Sequence, residues 1–145
     1  MKKSTAFWDS SALVPLCVQE ASTPSAEIHL RKFAPVVWWG SPVEIRSAIC
    51  RLRREKAITD AGEKGAVARL EMLGRGWREI LPGDQLRELA VRLLDEYSLR
   101  AADSLQLAAA LIWCDQRPAR RTFICVDQRL CKAAKSMGFV VLELT

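Results

Sequence analysis

The sequence predicts an α/β protein, a three-layer α/β/α sandwich built on a parallel five-stranded sheet, and three observations carry that expectation. Short apolar runs rich in β-branched and aromatic residues recur along the chain, longer amphipathic stretches separate them, and no linker, repeat or low-complexity tract breaks the alternation. Strands that alternate with helices pair in parallel and have both faces covered. At 145 residues, 50% of them hydrophobic, the chain has the size of a single domain over 1–145 and can bury a core without staples.

The elements follow in order. A strand is expected at 6–8, after which Ser10 or Ser11 caps a helix running towards Val18. Thr23 caps a second helix carrying Ile28, Leu30 and Phe33. After a strand at 36–39, Pro42 suits the first turn of a third helix, with Val43, Ile45, Ala48, Ile49 and Leu52 along it. Asp60-x-x-Glu63 has the form of a capping box and opens an amphipathic helix to about Leu73, ended by Gly74 and Gly76. A strand at 77–81 precedes a helix from Asp84 that sets Leu86, Leu89, Ala90, Leu93 and Leu94 on one side. Residues 101–113 are almost wholly apolar and read as a buried helix. A strand at 122–126, a helix over 128–137 stopped by Gly138, and a strand at 140–144 complete the chain.

Right-handed crossovers place the carboxyl ends of all parallel strands on one edge of the sheet, where ligand sites of open α/β folds gather. Asp9 directly follows the first strand and Asp127 directly follows the fourth. Glu44 lies in the first turn of the third helix, and Asp103 stands at the mouth of the apolar helix over 101–113. Each acid alone reads as a helix cap or a partner of the helix dipole. Four of them at one edge read differently, because close carboxylates repel one another unless a cation neutralises them. Oxygen donors of this kind suit Mg²⁺ or Mn²⁺, whereas zinc prefers histidine or cysteine.

Other chemistries are poorly served. The one histidine, His29, falls beside Arg31 and Lys32 on an amphipathic helix, and no G-x-S-x-G elbow or glycine-rich phosphate loop occurs. The five cysteines, Cys17, Cys50, Cys114, Cys125 and Cys131, are odd in number and mostly sit in apolar runs, so they are expected to be reduced core thiols. Met1-Lys2-Lys3 is basic, but Asp9 interrupts the chain before any apolar signal segment, and the apolar stretch over 105–114 is too short to cross a bilayer. A cytoplasmic protein without a membrane span is expected. The net charge of +5 and pI near 9.2 favour an acidic partner, whether nucleic acid or protein.

Four segments carry a resemblance to a known family. They are Phe7-Trp8-Asp9-Ser10-Ser11-Ala12-Leu13, Ser41-Pro42-Val43-Glu44-Ile45, Leu99-Arg100-Ala101-Ala102-Asp103-Ser104-Leu105-Gln106-Leu107-Ala108 and Phe123-Ile124-Cys125-Val126-Asp127-Gln128-Arg129-Leu130. In order and spacing they resemble the acidic motifs of PIN-domain ribonucleases, in particular the VapC toxins of VapBC toxin–antitoxin pairs, over essentially the whole chain. The family's four acidic positions fall on Asp9, Glu44, Asp103 and Asp127, and all are retained. Cys125 stands where the family often has Thr or Ser, and Gln106 where many members have His; neither change removes an acid.

The resemblance implies hydrolysis of RNA phosphodiesters with Mg²⁺ or Mn²⁺, centred on Asp9 and Asp103 and completed by Glu44 and Asp127. It also implies transfer RNA or another structured RNA as substrate, self-association as a homodimer, and inhibition by a VapB-like antitoxin within a hetero-oligomer. Apolar surface for these partners is expected from Leu13, Leu16, Val18, Ile28 and Leu30 and from the helix after Asp60. Two rival readings share the architecture. A phosphoacceptor signalling domain normally needs an early acidic pair and a lysine beyond the last strand; here Asp9 stands alone and the last strand ends at Glu143-Leu144-Thr145. A non-catalytic RNA-binding module would have no use for all four acids.

Overall fold

The computed structural model describes residues 3–145; Met1 and Lys2, which open the basic start, lie outside the described residues. The chain runs β1 (Ser4–Trp8), α1 (Ser10–Cys17), α2 (Thr23–Lys32), β2 (Phe33–Trp38), α3 (Ser41–Arg54), α4 (Asp60–Gly76), β3 (Arg78–Ile80), α5 (Asp84–Glu96), α6 (Ala101–Trp113), β4 (Thr122–Cys125), α7 (Gln128–Met137) and β5 (Val140–Glu143). The five strands form one sheet in the order β3-β2-β1-β4-β5, every pair parallel. This is the three-layer α/β/α sandwich that the alternation predicts.

Strand pleating explains the two core layers. Along β1, Phe7 joins Leu107, Leu130 and Phe139 in the layer of α5, α6 and α7, while Ala6 and Trp8 join Leu13, Ile45 and Leu70 in the layer of α1, α3 and α4. Successive side chains of a strand point to opposite faces, so a strand buried on both sides must be apolar throughout. Phe7 and Trp8 are fully buried, and the Phe7 and Phe123 rings stack across the β1–β4 pair at 5.6 Å.

β2 begins earlier than the apolar run suggests and takes in Pro35, which pairs with Ala6 of β1. The short β3 pairs only with Val36, Val37 and Trp38, so Phe33 to Pro35 form a local sheet edge where a missing N–H is tolerated. Phe33 therefore belongs to this strand and not to the helix before it. Caps also differ from expectation. Ser22 precedes α2, with Thr23 Oγ1 bonded to the Pro15 carbonyl instead. Thr59, not Asp60, caps α4 by accepting from Gly62 N, and α4 runs on through Gly74 to Gly76. Gly138 closes α7 at φ 109°, a backbone conformation that glycine adopts without a steric penalty.

Cys125 at the end of β4 and Cys131 in α7 are joined as a disulfide, which corrects the expectation of five reduced thiols. The return of α7 over β4 brings their Cα atoms to 6.2 Å, within the range a disulfide spans. Cys17, Cys50 and Cys114 remain free. Thiol titration of the denatured protein should therefore count three groups without reductant and five with it. Closing so short a loop restricts the unfolded chain modestly, and reduction should cost about 2 kcal/mol in urea denaturation. Five thiols in the unreduced protein would overturn the pairing.

Candidate functional site

The site forms at the carboxyl edge of the sheet, one residue beyond β1. Asp9 N donates to the Ile124 carbonyl at 2.9 Å, extending the β1–β4 ladder past the strand end and fixing how the chain turns into α1. Asp9 itself is the N-cap of α1, a role the sequence assigns to Ser10 or Ser11. Its Oδ2 accepts from Ser11 N at 3.1 Å and from the Ser11 hydroxyl, and that hydroxyl accepts from Val126 N at 3.0 Å. Ser11 thus links Asp9 to the segment that leads from β4 to Asp127.

Glu44 is placed by the turn between β2 and α3. Gly40 permits that turn, since a Cβ there would sit 2.5 Å from the Trp38 indole nitrogen. Glu44 Oε1 accepts from the Ser10 hydroxyl at 2.7 Å and from Gln106 Nε2 at 2.8 Å. The same Gln106 nitrogen reaches Ser10 Oγ at 2.8 Å and Ser41 Oγ at 3.1 Å. Gln106 and Ser41 are buried, so one amide joins α1, α3 and α6 in the interior. Asp103, half-buried at the start of α6, accepts from Arg100 N at 3.2 Å. Asp127 caps α7, its Oδ1 accepting from Arg129 N at 2.9 Å and Leu130 N at 3.3 Å.

Three of the four acids, Asp9, Asp103 and Asp127, therefore make the bonds expected of ordinary helix caps. Capping does not account for the electrostatics of Asp9. Only 5% exposed, its carboxyl is pushed up to about 7, first by burial and then by the charges of Glu44 and Asp103, against the opposing bonds from Ser11. The sole ion pair among the described residues, Arg53 with Asp60, lies elsewhere, so no basic side chain offsets this repulsion. Asp127 is not among the groups that raise Asp9.

Asp9, Glu44 and Asp103 thus share one electrostatic environment, with Asp127 beside it at the neighbouring strand end. The donor chemistry, carboxylate oxygens in a water-poor setting, fits a hard divalent cation. Among the described residues no group of three or more His, Cys, Asp or Glu side chains is arranged to hold a metal ion. Mg²⁺ does not require such a group, because it keeps several waters and takes one or two carboxylates.

A chain of a toxin–antitoxin complex shares this fold. That chain, from Klebsiella pneumoniae, superposes with a TM-score of 0.63 at 16% identity, over 86% of this chain and 88% of its own. The PAE2754 protein of Pyrobaculum aerophilum gives a TM-score of 0.63 at 18% identity, over 95% and 89%. No protein-family model and no curated protein matches the sequence. At these identities the likeness is one of fold.

The sequence points to the acids but not to the polar frame around them. Ser10 and Ser41 enter the site through packing between helices. Gln106 carried the one available signal, a polar residue on an apolar helix, three positions after Asp103 and so on its side of the helix. His29 is half-buried against the Phe33 ring and belongs to α2, consistent with a boundary residue. Trp8, Trp38, Trp77 and Trp113 are buried in the core, and Trp39 is 51% exposed.

Proposed function

We propose that this chain is a metal-dependent endoribonuclease of the PIN-domain type, acting as the toxin of a toxin–antitoxin module. The observation that carries this reading is Asp9, a carboxyl at the sheet edge raised first by burial and then by the charges of Glu44 and Asp103, with no cation to offset them. A cluster of this kind is poorly stable alone and gains from a divalent ion. Asp9 and Asp103 would hold Mg²⁺ or Mn²⁺, with Glu44 and Asp127 completing the site around the ion's waters. The chemistry such an ion supplies is positive charge that acidifies water and offsets charge developing on phosphate oxygens.

The chain's own residues orient the acids. Ser11 directs the Asp9 carboxylate through two bonds, and Ser10 with Gln106 fixes Glu44. The net charge of +5 suits an RNA substrate, with structured RNA such as transfer RNA the class proposed.

An antitoxin partner is supported by the Klebsiella pneumoniae complex and by apolar surface near Glu44. A cleft of about 590 Å³ between α3 and α4 is lined by Pro42, Val43, Cys50, Leu70 and Trp77, and Val43 is 71% exposed. The helix after Asp60 contributes to this surface as expected, through Leu70, whereas the first helices do not, because Leu13 and Val18 belong to the core and only Ile28 among the residues named there is largely exposed. No helix among the described residues is long and apolar enough to cross a membrane.

Sequencing of RNA 5′ ends after induced expression tests the reading. Wild-type protein should create discrete new ends that Asp9→Asn does not, and purified protein should lose cleavage in excess chelator. Cleavage that persists in chelator, or undiminished in Asp9→Asn, overturns it.

A further inference from the structure

A cleft of about 320 Å³ lies between the α5–α6 connection and the outer face of α7. One wall carries Tyr97, Ser98 and Leu99; the other carries Arg129, Lys132 and Ser136. Both walls continue directly into acids of the candidate site. Leu99 precedes Arg100, whose N–H is bonded to Asp103, and the N–H of Arg129 is bonded to Asp127. The volume is within the range of small-ligand sites, roughly 300–1,000 Å³.

We propose that this cleft is a nucleotide subsite, seating one base of single-stranded RNA and its flanking phosphates beside the cleaved bond. Only its position relative to that bond rests on the ribonuclease reading; the binding itself does not. Arg129, Lys132 and Ser136 are spaced three and seven residues along α7, which puts two cations and a hydroxyl on one helical face. Arg129 and Lys132 are exposed, and neither forms an ion pair among the described residues. Their charge is available to phosphate.

Tyr97, the chain's one tyrosine, is half-buried and packs against the core of the α5, α6 and α7 layer. A ring anchored in this way offers a base a stacking surface that is already ordered. Glu96 lines the same cleft from the Tyr97 wall, and its charge directs phosphate to the α7 side. Plain solvation of α7 would explain the two cations but not the aromatic wall opposite them.

The test uses the full chain in excess chelator, where nothing is cleaved, with a short fluorescein-labelled oligoadenylate followed by anisotropy over a range of salt. Losing two single-strand phosphate contacts should lower the salt slope by about 1.4 and weaken binding about 25-fold near ~0.1 M salt in R129A/K132A. Tyr97→Ala should weaken binding at least about fivefold, while Tyr97→Phe retains it. R31A/K32A removes the same charge at the opposite edge of the sheet and should do little. The subsite is overturned if R129A/K132A loses no more affinity and slope than R31A/K32A, or if Tyr97→Ala binds as Tyr97→Phe does. A cleavage assay with metal separates the two readings. Binding at this cleft by a wild type that never cleaves keeps the subsite and removes the ribonuclease; cleavage indifferent to R129A/K132A does the reverse.

Discussion

Asp9→Asn should raise the stability of the metal-free protein while ending RNA cleavage. The Asp9 carboxyl has an ordinary value of 3.8 and is held at about 7 in the folded chain, mainly by burial. At pH below 3.8 it is protonated in both states, and its neutral form is accommodated without penalty. As pH rises towards 7 the unfolded chain releases the proton while the folded chain keeps it, so stability falls. Above about 7 the loss is complete. The interval corresponds to roughly 4 kcal/mol at ~1.4 kcal/mol per pH unit, of which relaxation around the carboxylate leaves about 2–4 kcal/mol.

Asparagine has no charge to desolvate, and its carbonyl can accept the bonds from Ser11. In chelator at pH 8, thermal denaturation of Asp9→Asn should therefore occur about 5–10 °C above wild type. The gain should shrink at pH 5, where the folded wild type is still protonated. Adding Mg²⁺ should narrow the gap by stabilising the wild type, since a ligand that binds only the folded state raises its stability. A structural cap predicts little change at any pH, because asparagine caps a helix about as well as aspartate. A variant less stable than wild type at pH 8, or a gain unchanged between pH 5 and pH 8, would sink the electrostatic account of Asp9.

Much of the fold was legible because local chemistry and packing agree. α6 occupies residues 101–113 and α7 residues 128–137, the spans expected from an apolar run and from Gly138. Positions of the acids at strand ends followed from the parallel topology, which puts Asp9 and Asp127 at one edge. Boundaries failed where tertiary context decides. Pro35 sits in β2 because β3 is short, and Asp9 rather than Ser10 or Ser11 caps α1 because the β1–β4 ladder extends to Asp9 N. The Cys125–Cys131 bond depends on how α7 folds back over β4. Least legible were the contacts of Gln106, which lie 96, 65 and 62 residues away in sequence. No local pattern encodes partners at such separations.

Gln106→Leu tests whether that network serves the site or only fills the interior. Leucine has similar bulk and removes the amide nitrogen that serves Glu44, Ser10 and Ser41. Loss of a hydrogen bond to a charged group costs about 1.5–3 kcal/mol, and the buried Ser41 hydroxyl loses its partner as well. One gain opposes this: Gln106 Oε1 is itself buried without a partner, and leucine abolishes that orphan. The two effects should leave a net loss of about 2 kcal/mol, read in urea denaturation.

The functional effect should be larger than this modest instability implies. Outer residues that orient metal ligands are worth about 10–100-fold in metal affinity or activity. In Gln106→Leu, Glu44 keeps only the Ser10 bond, so the Mg²⁺ concentration for half-maximal cleavage should rise by about that factor. RNA affinity in chelator should stay at the wild-type level, because Gln106 is buried and cannot reach the RNA. Gln106→His, which can still donate an N–H to Glu44, should recover part of the metal affinity. A Gln106→Leu protein with the wild-type Mg²⁺ requirement would reduce the network to interior packing, with Ser10 alone sufficient to hold Glu44.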